Sequence, residues 1–208
     1  MFGILVFGDS ITFGCGENPH QGWVGRLKNN FETKGEHNNL FNLGIPGNTS
    51  RGLLYRFETE IISRVKYIRS QDKFIIIIAI GINDSKAKNS PNAIVIKPKL
   101  YKDNIKKVVK IANKYTSKIV LIGLTPVDEK LTNPYENTYF TNKCIQKYNN
   151  ILIELANKEK ILYIDIFNEL IKANHVKLLV DGLHPNKKGY DKMYNIIKNS
   201  LIKNKLIN

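Results

Sequence analysis

Five short runs of branched and aromatic residues recur along the chain, at Phe2–Phe7, Leu40–Leu43, Phe74–Ile80, Lys118–Leu124 and Ile161–Ile164. Their length and β-branched content predict strands. The third run is apolar at every position, the pattern of a strand covered by helices on both sheet faces. Amphipathic segments alternate with these runs. The clearest spans Pro98–Tyr115, where Tyr101, Ile105, Val108, Val109 and Ala112 line one face and Pro98 suits a helix's first turn. Similar stripes cover Leu53–Tyr67, Phe140–Ala156 and Tyr190–Ile202. Strand and helix in alternation predict the α/β class: a three-layer, doubly wound α/β/α sandwich around a central, mainly parallel five-stranded sheet. No repeat, low-complexity linker or composition break divides residues 1–208, so a single domain is expected.

In such a sheet, ligands meet the crevice at the carboxyl ends of the strands. The residues there are Gly8-Asp9-Ser10-Ile11-Thr12 after the first run, Gly44 to Ser50 after the second, and Gly81-Ile82-Asn83-Asp84 after the third. Gly8, Gly14 and Gly16 fit neither the Walker nor the dinucleotide spacing. The Gly-x-Ser-x-Gly elbow is also absent, because Thr12 stands where its second glycine belongs. A serine nucleophile needs a base, and imidazole has the suitable pKa. His20, His37 and His175 lie in polar stretches and read as solvated surface residues. His184 lies in Asp181-Gly182-Leu183-His184-Pro185-Asn186, where a carboxylate three residues upstream can fold back onto the ring in a tight turn. On this segment alone, an Asp181 that caps the next turn and a His184 that is merely exposed fit equally well.

These segments together resemble the SGNH, or GDSL, hydrolases, and the resemblance runs the length of the chain. Gly8-Asp9-Ser10 is similar to the family's first block, Asn42-Leu43-Gly44 to the second, Gly81-Ile82-Asn83-Asp84 to the third and Asp181-x-x-His184 to the last. The resemblance implies a flavodoxin-like fold and a serine esterase with Ser10 as nucleophile, His184 as base and Asp181 as the third triad member. It further implies an oxyanion hole built from Ser10 N–H, Gly44 N–H and the Asn83 side chain, an acyl-enzyme intermediate, and no metal or organic cofactor. The substrate would be a small-molecule ester. The family also holds lysophospholipases, thioesterases and carbohydrate O-deacetylases, so longer acyl chains and thioesters are alternatives. Asp9, Asp84 and Asp165 read as scaffolding for local loops.

Composition changes this picture little. The net charge of +14 could suit nucleic acid, but the lysines are scattered over every expected helix, and no reader motif accompanies them. A nucleic-acid partner is therefore not expected. The other non-enzymatic alternative, a silent ligand-binding module, is disfavoured by the intact Ser-Asn-Asp-His set. Two cysteines are too few to staple 208 residues. Cys144 shares a helical stripe with Phe140, Tyr148, Ile151 and Leu155 and reads as a small core residue, whereas Cys15 lies beside the expected nucleophile. No apolar run reaches membrane-spanning length, and the first run reads as a buried strand rather than a leader, so a cytoplasmic location is expected. The loops Ser85–Asn92 and Val127–Thr138 are polar, which predicts a preference for short acyl groups. The competing expectation is that Ile94, Val95 and Ile96 fold inward and form an acyl groove.

Overall fold

The computed structural model describes residues 3–65 and 74–208. Five parallel strands form the central sheet: β1 (Gly3–Gly8), β2 (Asn39–Gly44), β3 (Phe74–Ala79), β5 (Ile119–Ile122) and β7 (Leu162–Ile164), in the order β2-β1-β3-β5-β7. All five expected strands are present. Phe2, and Lys66 and Tyr67 at the end of one expected helix, lie outside the described residues. The chain leaves β1 toward β2 and then crosses back over β1 to β3, with later strands added on that side. Right-handed crossovers therefore put α2 (Gly22–Glu32) on one face and α3 (Ser50–Val65), α5 (Pro98–Ala112) and α7 (Asn142–Glu159) on the other. Accordingly α3 packs on α5 and α5 on α7, while α9 (Lys187–Lys203) returns to pack against α2. With both faces covered, Ile4 to Phe7 and Phe74 to Ile78 are buried throughout.

Several helix starts depend on contacts that periodicity does not carry. Helix α3 begins at Ser50, three residues before the apolar stripe, because Asp84 accepts the Ser50 N–H. Thr141 and Asn186 cap α7 and α9 through their side chains, which sets those starts at Asn142 and Lys187. Helix α2 buries Trp23, Val24, Leu27 and Phe31. The two polar loops expected at the rim are tied to each other: β4 (Ala87–Lys88) and β6 (Thr138–Tyr139) pair as a short antiparallel ribbon. Of the three residues expected to fold inward, Ile96 joins the core and Ile94 packs against it, whereas Val95 is exposed. No helix among the described residues is long and apolar enough to cross a membrane.

Candidate active site

The reversal of strand order between β1 and β3 leaves a crevice at their carboxyl ends, and both carry the site's residues. Ser10 opens the one-turn helix α1 (Ser10–Phe13) directly after β1. Asp9 is extended and caps that turn, its Oδ1 accepting the Ile11 N–H at 3.0 Å. Gly14 ends the turn in the left-handed region. Both Gly14 N–H and Cys15 N–H then return to the Ser10 carbonyl, at 3.0 and 2.9 Å. The Tyr190 hydroxyl of α9 donates to the Cys15 carbonyl at 2.5 Å, which ties the turn to the far end of the chain.

His184 reaches Ser10 from a loop closed on itself. Val180 N–H donates to the His184 carbonyl at 2.9 Å and Asn186 N–H to the Leu178 carbonyl at 2.8 Å. At the loop's tip Asp181 Oδ1 accepts the Leu183 and His184 N–H groups at 2.9 and 2.7 Å, and Oδ2 lies 2.7 Å from His184 Nδ1. His184 Nε2 lies 3.0 Å from Ser10 Oγ. An ionised carboxylate only accepts, so Nδ1 carries the proton in the neutral ring and Nε2 is left to take the serine's. Burial pushes the Asp181 carboxyl up, but the hydrogen bonds from the His184 ring, His184 N–H and Leu183 N–H outweigh it. Together they hold its pKa below the ordinary carboxylate value. Asp181 stays ionised opposite the imidazole across the neutral range.

Asn83 sits in α4 (Ile82–Ser85), one turn beyond β3, and is 5% exposed. Its Nδ2 donates to the Asn48 carbonyl at 3.1 Å, and its Oδ1 accepts from Lys86 Nζ at 3.2 Å. An ammonium can only donate and a carbonyl can only accept, so the two neighbours fix which end of the amide is which. The second Nδ2 proton has no protein acceptor among the described residues. Asp84 beside it accepts the Ser50 N–H and hydroxyl, and Asn104 Nδ2 donates to Ser50 Oγ at 2.9 Å. Burial raises the Asp84 pKa to about 6, against the lowering effect of the Ser50 bonds.

Gly44 is used differently from the expectation. Its N–H donates to Asn42 Oδ1 at 3.0 Å, so it is already engaged. A Cβ built on Gly44 would lie 2.4 Å from Phe13 N and 2.8 Å from the Asp9 carbonyl. Glycine there lets β2 approach the backbone of the turn that bears Ser10. Three residues on, Gly47 adopts φ +75° with open space around it, and its N–H has no acceptor among the described residues. The next residue, Asn48, is the one whose carbonyl holds Asn83.

Arg56 of α3 was not visible as a site residue in sequence. It donates to the Gly8 carbonyl at 3.1 Å, the Leu43 carbonyl at 2.8 Å and Asn48 Oδ1 at 3.1 Å, joining the ends of β1 and β2 to the Gly47 loop. The other titratable residues stand apart from this chain of bonds. His20 and His37 are exposed, and His175 Nε2 lies 3.1 Å from the Val127 carbonyl. Asp165 caps α8 (Ile166–Lys172), and the Cys144 thiol donates to the Ser85 carbonyl at 2.9 Å. Burial pushes the Cys15 thiol up, away from reactivity. Around the crevice Phe13, Ile45, Leu131 and Val180 are exposed, so the rim is less polar than the two loops implied.

A hydroxyl, an imidazole and a carboxylate lie in series at hydrogen-bond distance at the switch point of a doubly wound α/β/α sheet, the arrangement that a serine hydrolase requires. The GDSL-like Lipase/Acylhydrolase family model matches residues 6–192, and the chain belongs to that family. It is similar to Esterase TesA of Pseudomonas aeruginosa, 24% identical over 88% of this chain and 79% of the relative. Among solved structures, a lipase/acylhydrolase from Enterococcus faecalis superposes with a TM-score of 0.76 at 21% identity, covering 98% of this chain and 97% of the other. The acetylxylan esterase Axe2 from Geobacillus stearothermophilus superposes with a TM-score of 0.75 at 19% identity, covering 96% and 94%. The protein is thus an ester hydrolase of the GDSL type.

Proposed function

We propose that the protein hydrolyses carboxylic esters of short acyl groups through a Ser10–His184–Asp181 triad. The observation that carries this reading is the continuous chain of contacts, 3.0 Å from Ser10 Oγ to His184 Nε2 and 2.7 Å from His184 Nδ1 to Asp181 Oδ2. Ser10 Oγ attacks the ester carbonyl while His184 Nε2 takes its proton. The resulting imidazolium is stabilised by Asp181. The developing oxyanion is met by the Ser10 N–H, the Gly47 N–H and the free Nδ2 proton of Asn83, with Gly47 taking the role first expected of Gly44. Collapse of the tetrahedral intermediate expels the alcohol, which receives the proton from His184. Water activated by the same base then releases the acid and restores Ser10.

Short acyl groups are favoured by the polar loops Ser85–Asn92 and Val127–Thr138 and by the acetylxylan esterases among the structural neighbours. A second reading, hydrolysis of longer acyl chains, is favoured by exposed Phe13, Ile45, Leu131 and Val180 at the rim. Each buried methylene contributes roughly 0.8 kcal/mol, so an apolar path across these residues would raise kcat/KM steadily with chain length. A series of p-nitrophenyl esters below micelle-forming concentration separates the two. A maximum at acetate to butyrate is expected, and a maximum at octanoate or beyond transfers the assignment to the longer-chain reading.

A further inference from the structure

Directly beneath the turn that carries Ser10 lies a small pocket of about 20 Å³, bounded by Asp9 and α1, α2, α4, the carboxyl ends of β3 and β5, and α9. Most of its wall is apolar, with Ile82 and Leu124 among the lining residues. Four polar side chains interrupt that wall: Asp9, Thr12, Trp23 and Thr125, none more than 3% exposed. Three of them are buried polar groups without a partner. Thr12 Oγ1, Trp23 Nε1 and Thr125 Oγ1 make no hydrogen bond among the described residues. The fourth, Asp9, accepts the Ile11 N–H at Oδ1, and its own N–H also bonds the carboxyl. Buried polar groups are nearly always satisfied, so three unpartnered ones beside a buried carboxyl around a single pocket point to a missing ligand.

The donor and acceptor inventory identifies that ligand's chemistry. The indole N–H only donates, which disfavours a cation, and the Asp9 carboxylate only accepts when ionised, which disfavours an anion. Two hydroxyls can serve either way. A neutral group that accepts from Trp23, donates to Asp9 and exchanges one bond with each threonine completes the set. Water has this capacity, two donated and two accepted bonds, and the cavity exceeds the ~10–15 Å³ that one water needs. We propose that this cavity is a binding site for one ordered water that links Asp9 to Thr12, Trp23 and Thr125 and so supports the turn bearing Ser10.

The site gives Trp23, the only tryptophan in the chain, a view of the Asp9 proton. Burial raises the Asp9 pKa to about 7, opposed by the Ile11 bond and reinforced by Asp84. Lys86 faces it with the opposite charge, and the Cys15 thiol and the Tyr101 and Tyr190 phenols are further ionisable neighbours among the described residues. Protonation of Asp9 turns an acceptor into a donor, which reorients the bridging water at Trp23 Nε1.

Two measurements on the full chain test this. In a high-resolution crystal structure, one water is expected within hydrogen-bond distance of at least three of the four side chains. A dry cavity or an ion there overturns the proposal. In a nitrogen-15 correlation spectrum the single indole resonance is expected to titrate near pH 7 in the wild type and in His184→Asn. Asp9→Asn should abolish that titration, and Thr125→Val should weaken it while Thr125→Ser keeps it. A resonance that does not titrate, or that titrates unchanged in Asp9→Asn, would show that no water couples the two groups.

Discussion

Replacing Asp9 by Asn tests the buried carboxylate beside Ser10 through the pH dependence of stability. Asn keeps a side-chain oxygen to accept the Ile11 N–H, so the cap of α1 survives while the ionisation is removed. Burial is the main reason that the wild-type pKa rises from 3.8 to about 7. Folding therefore tightens proton binding at this group. The stability contributed by its neutral form is complete below pH 3.8 and is lost as pH rises through 7. Three pKa units correspond to about 4 kcal/mol. Relative to wild type, Asp9→Asn should gain stability steadily from pH 4 to pH 8, by up to about 4 kcal/mol, or roughly 10 °C in Tm for a chain of this size. Urea denaturation of both proteins at pH 4, 5.5, 7 and 8.5 measures the gap directly. A gap that stays constant across this range would mean that Asp9 ionises as freely in the native protein as in the unfolded chain, and the reasoning would be wrong.

Asn83→Ala should lower kcat on the order of a hundredfold or more with a smaller change in KM, since a preorganised donor acts mainly in the transition state. Lys86→Met should lower kcat by about tenfold, because the amide loses the ammonium that orients it, and Lys86→Arg should restore part of the loss; a pure KM effect in either position reassigns it to ground-state binding. The loop after α1 is clamped by Glu17, which pairs with Arg26 at 2.6 Å with both side chains only 9% exposed. Glu17→Ala should therefore cost about 3 kcal/mol in urea denaturation, whereas breaking the exposed Lys102–Glu154 pair should cost under about 1 kcal/mol.

The readable parts of this protein were local. Strands such as Phe74–Ala79 announce themselves because a sheet buried on both faces leaves no polar position to break the run. Asp181 and His184 are three residues apart, so their approach needs only one turn, and Ser10 follows a strand end directly. What the sequence left open depended on direction or distance. A glycine that admits a neighbouring backbone looks the same as a glycine that offers its N–H, which is why Gly44 and Gly47 could not be told apart before their partners were known. Arg56 meets Gly8 across 48 residues, Asp84 meets Ser50 across 34, and the Asn83 amide meets Asn48 across 35, so none of these leaves a periodic trace. The polar loops after β3 and β5 concealed the β4–β6 ribbon because two-residue strands carry too short an alternation to read.

The identity of the nucleophile is tested most directly by intact-mass and peptide mapping after reaction with a fluorophosphonate, comparing wild type with Ser10→Ala. One adduct per chain on the peptide containing Ser10 is expected in the wild type. The alanine variant should show no adduct and no ester turnover, while its circular dichroism stays that of the wild type. An adduct on any other serine, or an alanine variant that retains most of its esterase activity, would contradict the assignment of Ser10.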